Sequence, residues 1–150
     1  MGFLGTSVHI INDNGRISVP SKIRDVLNRE YSDESMVLTL NRDRGCLVVF
    51  PAQEWKKKEN DLMNPQTRTD AIKARQITNN SEIVSIDKQG RILISLALRA
   101  KAGLSGECVI AGLSNRFEIW DKNRWDAEIE TEIPDDDSEG LGGQFNQLSF

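Results

Sequence analysis

The sequence predicts an α+β protein built from two tandem half-units of short strands and helices, packed on one another as an intramolecular pseudo-dimer. Three observations carry that expectation. The turn Asn12-Asp13-Asn14-Gly15-Arg16-Ile17 returns seventy-five positions later as Asp87-Lys88-Gln89-Gly90-Arg91-Ile92. Apolar runs of strand length alternate with helical patterns in the same order in both copies. Each copy offers only about seventy residues, a length at which one core supplies roughly 3–5 kcal/mol, so packing the copies together adds apolar area that neither has alone.

Ser7, His9 and Ile11 alternate with Val8 and Ile10, a strand that should run into the turn. Asn14-Gly15 is a strong turn signal, because glycine takes positive φ without steric cost and asparagine tolerates it better than most residues. Ile17-Ser18-Val19 continues extended, with Arg16 at the strand entrance and free to project. Pro20-Ser21 then opens a helix with Ile23, Val26, Leu27 and Tyr31 close to one face. Met36 to Leu40 and Cys46 to Phe50 read as strands, and Pro51 starts a closing helix.

Residues 52–77 read as a polar helical connector, helical from Trp55 to Met63 and from Gln66 to Gln76. Asn64-Pro65 breaks it, since proline ends a helix at the residue before it. Lys56, Lys57, Lys58, Arg68, Lys73 and Arg75 make the connector basic, which suits either a solvated helix face or a phosphate-contacting surface. Copy two repeats the plan, with Ser95 as helix N-cap, Leu98 and Ala102 inward, and Gly103 at the helix end. Strands follow at Glu107 to Ala111 and Phe117 to Trp120, and Asp121 starts the last helix. The organisation is therefore a first unit over 1–51, the connector over 52–77, a second unit over 78–132 and an acidic tail over 133–150. The tail is glycine-rich and core-poor and is expected to be mobile. Its last apolar residues, Phe145, Leu148 and Phe150, could dock on a neighbouring subunit.

Charge is divided along the chain. Residues 1–125 hold all 19 Lys and Arg against 15 acids, whereas residues 126–150 hold eight acids and no base. The body can therefore attract phosphate although the net charge is −4. Cys46 and Cys108 lie in separate apolar runs without a CxxC partner, as buried thiols of a reducing compartment would. His9 stands alone, so no metal site is expected. There is no GxxxxGK loop, GxSxG elbow or HExxH pair, and an enzyme, a cofactor or a small-molecule substrate is not expected. With no apolar run approaching the roughly 20 residues that span a bilayer and no basic leader at Met1 to Gly5, the chain reads as cytoplasmic, without a membrane partner.

In combination, several segments carry a family likeness: Phe3 and Gly5, the paired turns, Pro51 with Glu54-Trp55, Met63-Asn64-Pro65 with Arg68, Leu98 to Leu104, and Phe117-Glu118-Ile119-Trp120. Over roughly residues 3–125 the chain resembles the MraZ transcriptional regulators. That resemblance implies tandem AbrB-like (SpoVT-AbrB) half-units interlocked as a pseudo-dimer and homo-oligomers closed into rings. It further implies a nucleoid-associated regulator or repressor binding double-stranded DNA at direct repeats upstream of its own operon, in the division and cell-wall gene cluster. The DNA-binding element implied is the DxxxR turn, comprising Asp87, Gly90 and Arg91 in copy two and Asn12, Gly15 and Arg16 in copy one.

Copy one departs from the pattern, with Asn12 where aspartate is usual. Asparagine can still organise the turn but offers no anionic partner, which should leave Arg16 freer. Lys22, Arg24 and Arg99, on the helices after the turns, are secondary candidates for phosphate contact. Trp55, Trp120 and Trp125 fit packing roles. Two readings stay open from the residues alone: a sequence-specific DNA-binding regulator, or a ring-forming scaffold whose basic turns make subunit contacts.

Overall fold

A computed structural model describes residues 2–31 and 35–133, and in them the two copies trade strands rather than sit side by side. Copy one contributes β1 (Thr6–Ile11), β2 (Arg16–Ser18), α1 (Ser21–Glu30), β3 (Ser35–Asn41), β4 (Cys46–Pro51) and α2 (Ala52–Met63). After α3 (Arg68–Asn79), copy two repeats the order with β5 (Ser81–Ser85), β6 (Arg91–Leu93), α4 (Leu96–Ala102), β7 (Gly106–Gly112), β8 (Phe117–Asp121) and α5 (Lys122–Glu130). The tail expected over 133–150 lies, apart from Ile133, outside the described residues, as do Phe145, Leu148 and Phe150.

The strands form a six-stranded antiparallel sheet, β1-β7-β8-β4-β3-β5, and a two-stranded ribbon, β2-β6. Within the large sheet β1 of copy one pairs with β7 of copy two, while β5 of copy two pairs with β3 of copy one. β4 and β8 meet at the middle, and the ribbon takes one strand from each copy. Neither half could close this sheet alone, so the expected interlocked pseudo-dimer is what the chain forms.

β3, β4, β7 and β8 are apolar almost throughout because both faces of the sheet are covered. One face, with Met36, Leu38, Leu47, Val49, Ile110 and Ile119, packs on Ile17 and Ile92 of the ribbon, Ile23 and Val26 of α1, and Leu98 of α4. The alternate residues, including Val37, Val48, Phe50, Val109 and Trp120, face Trp55 and Leu62 of α2 and Ala74 of α3. Both cysteines are buried and free. Burial raises both thiols, Cys108 to about 11, so neither is ionised near neutral pH.

Helix ends differ from the sequence expectation in the connector. α3 runs from Arg68 to Asn79 rather than from Gln66 to Gln76, because the Thr67 side chain accepts the Asp70 amide at 3.0 Å and sets the start there. α2 starts at Ala52 directly after Pro51, and Trp55 packs on Phe50 at a ring separation of 5.6 Å. Trp125 of α5 meets Trp120 at the same separation of 5.6 Å, so α2 closes copy one as α5 closes copy two. The basic connector lies on the sheet face opposite the ribbon. On that side Lys57 pairs with Glu54 at 3.1 Å and Lys58 stands 5.9 Å over the Phe50 ring.

Candidate nucleic-acid interface

The two turns are built by one hydrogen-bond pattern. In copy one Asn12 Oδ1 accepts the amides of Asn14 at 3.0 Å and Arg16 at 2.9 Å. In copy two Asp87 Oδ1 accepts the amides of Gln89 at 2.8 Å and Arg91 at 3.0 Å. The backbone closes both loops alike, with the Gly15 amide donating to Asn12 O and the Gly90 amide to Asp87 O. A single side-chain oxygen does the organising, which asparagine and aspartate supply equally well.

They differ in the second side-chain atom. Asp87 Oδ2 lies 3.7 Å from Arg91 Nε, and Arg91 Nη2 also donates to Gln89 Oε1. The Arg91 amide holds the Asp87 carboxyl below its ordinary value against the opposing effect of burial, with the Gln89 amide and the charges of Arg91 and Arg16 adding to it. Asn12 has no charge to offer, and Arg16 has neither an ion pair nor a side-chain hydrogen bond among the described residues. The two guanidinium groups therefore differ: Arg91 is held at close range by Asp87 and Gln89, whereas Arg16 acts on Asp87 through its charge alone.

Register decides where they point. Ile17 faces Ile92 across the ribbon, and both are fully buried against the large sheet. Side chains alternate along a strand, so the flanking pairs Arg16↔Leu93 and Ser18↔Arg91 share the opposite face, which looks away from the core. Arg16 and Arg91 are half-buried there, and Ser18 and Leu93 are exposed. Strand exchange thus brings both turn arginines, seventy-five positions apart in sequence, onto one ribbon face.

Arg24 and Arg99 have an additional structural place that sequence reasoning did not anticipate. Arg24 Nε donates to Val19 O at 3.1 Å, and Arg99 Nε donates to Ile94 O at 3.0 Å. Each helix arginine thereby locks the strand end that leads into its own helix, and then reaches the turn of the other copy. Arg99 Nη1 donates to Asp13 O at 3.2 Å, and the Arg24 guanidinium lies beside Gly90. Both glycines hold positive φ, 90° at Gly15 and 77° at Gly90. Lys22 is exposed on α1 and lines a surface pocket of about 240 Å³ with Phe3, Leu4 and Asp25. Ser18 and Leu93 join the two arginines on that face, a placement that counting by two from Arg16 and Arg91 would have found.

Comparison with known proteins finds a family model described as "MraZ protein, putative antitoxin-like" matching the chain twice, over residues 3–80 and 77–139. A relative from Syntrophobacter fumaroxidans, named "Transcriptional regulator MraZ", is 37% identical over 132 residues, covering 85% of this chain and 84% of that protein. One of the same name from Ligilactobacillus salivarius is 41% identical over 127 residues, covering 83% and 85%. Another so named, from Neisseria gonorrhoeae, is 34% identical over 143 residues, covering 93% of each chain.

Proposed function

Because the chain belongs to the MraZ family, we propose that it is a DNA-binding transcription regulator that grips duplex DNA through the exposed face of its β2-β6 ribbon. The observation that carries this reading is the placement of Arg16 and Arg91 on that one face. A two-stranded ribbon fits the major groove, and arginine's planar fork matches either phosphate or guanine O6 and N7. The turns Asn12 to Gly15 and Asp87 to Gly90 flank the ribbon strands and accompany it to the DNA. Arg24 and Arg99 act from beneath as positioning residues, and Lys22 is left to peripheral phosphate contact.

One base contact of this kind discriminates by about 1–3 kcal/mol, too little for an operator. Several subunits bound to spaced sites raise the grip through effective concentration instead, which supports the closed homo-oligomeric ring and the direct repeats that the family resemblance implies. Surface chemistry also favours assembly. The edge strands expose Val8 and Ile10 on β1 and Ile83 on β5, with Val8 and Ile83 at matched positions of the two copies. Apolar residues gathered on sheet edges suit subunit contact. By the same resemblance the repeats lie upstream of the protein's own operon in the division and cell-wall gene cluster, and the protein works at the nucleoid.

Footprinting on that upstream DNA with wild type, Arg16→Ala, Arg91→Ala and the double variant tests the reading, with subunit mass measured in parallel. Loss of protection at unchanged mass is the expected result. Unchanged protection in the double variant overturns it, and a broken oligomer would instead assign the turns to subunit contact.

A further inference from the structure

The outward face of the ribbon is symmetric in its arginines and asymmetric in the residues opposite them. Leu93 stands directly across from Arg16, whereas its counterpart in the other copy, Ser18, stands across from Arg91. Leu93 is 48% exposed, an apolar side chain flanked by Arg16 across the ribbon and Arg91 two positions back on its own strand. The buried face of the same strand is supplied by Ile92, and the counterpart of Leu93 in the other copy is serine, so the leucine is particular to this half; beside it the surface continues to Ile83 and Ser85 of β5. In the major groove the one apolar feature of the base edges is the thymine 5-methyl group.

We infer that Leu93 covers the 5-methyl group of a thymine adjacent to the base contacted by Arg16, and so makes one half of the ribbon selective for thymine where the other half is not. This inference rests on the ribbon reading of the function. It gives the reading face a direction: Arg16 opposite leucine at one end, Arg91 with its Asp87 and Gln89 partners opposite serine at the other.

The test uses the full chain and a duplex enriched by it from a random-sequence pool. Each thymine is replaced in turn by uracil, which removes the methyl and leaves every hydrogen-bonding group in place. One position per bound site is expected to lose about three- to five-fold in affinity with wild type, the worth of one buried methyl, and to lose nothing with Leu93→Ala. Leu93→Ser, which copies the other half, should enrich sequences without the thymine preference, and thermal melting confirms that both variants remain folded. The inference fails if no uracil penalty disappears in Leu93→Ala while Arg16→Ala still weakens binding. It also fails if Leu93→Ala alters subunit mass, which would place Leu93 and neighbouring Ile83 in a contact between copies. If Arg16→Ala and Arg91→Ala bind like wild type, the ribbon reading itself falls and takes this inference with it.

Discussion

The guanidinium of Arg99, on a helix of copy two, packs against Gly15, the turn glycine of copy one. A Cβ at Gly15 would stand 2.8 Å from Arg99 Cζ and 2.6 Å from the carbonyl oxygen of Ile94. The reciprocal pair, Gly90 with Arg24, leaves more room, 3.3 Å to Arg24 Cζ. Each of the two turns is therefore seated on the other copy, and the two seats differ in tightness.

Gly15→Ala should cost more than Gly90→Ala. Both force an L side chain into positive φ, which costs about 1–2 kcal/mol, but only at Gly15 does the new methyl meet a backbone carbonyl that cannot turn aside. Chemical unfolding of the two variants measures the difference. Equal losses would show that the close approach at Gly15 relaxes freely.

Arg99→Ala should loosen turn one, and Arg24→Ala turn two, across the copies. Removing a charged donor from a carbonyl costs roughly 1.5–3 kcal/mol when the bond is sheltered, and partial exposure of both arginines brings the expectation nearer 1 kcal/mol. Amide hydrogen exchange locates the effect: Asn14 to Arg16 should exchange faster in Arg99→Ala, and Gln89 to Arg91 in Arg24→Ala. Changes confined to the mutated helix would contradict the cross-copy seating.

Asn12→Asp would give Arg16 a carboxylate in its own turn, as Arg91 has in Asp87. Stability should change by only a few tenths of a kcal/mol, as exposed pairs do. Affinity for DNA should fall about two- to ten-fold because the guanidinium would have to leave a partner to bind. Titration of labelled duplex at fixed salt reads this, and a gain in affinity would refute the absence of an acid in turn one as a binding advantage.

Acid should act on one turn only. The Asp87 carboxyl is held below its ordinary value chiefly by the Arg91 amide, so its contribution is present above the ordinary carboxylate value and is lost as pH falls through the depressed one. The amide shifts of Gln89 and Arg91 should move over that acid range, whereas those of Asn14 and Arg16, organised by a side chain that does not titrate, should hold still. Parallel movement of both turns by NMR would indicate general loosening instead.

Much of this was legible in the residues. The duplicated turn, the glycine-arginine step, the helix start at Ser95 and the stop at Gly103 depend on local backbone preferences, and local preferences act between neighbours in sequence. Asn12 could be read as an organiser because its hydrogen bonds span only two to four residues. α3 starts two residues beyond the expected Gln66, because Thr67, a residue type favoured at helix N-caps, takes the cap by accepting the Asp70 amide.

Sequence by itself determined that there are two copies, what each turn looks like, and that copy one lacks an acid at its head. Tertiary structure alone decided that the copies exchange strands, that Arg24 and Arg99 brace the turns opposite their own, and that Arg16, Ser18, Arg91 and Leu93 share one face. Those are relations between segments far apart in sequence, set by antiparallel register and by the burial of Ile17 against Ile92. Register is fixed by which apolar side chains find a common core, a property that no single stretch of chain contains.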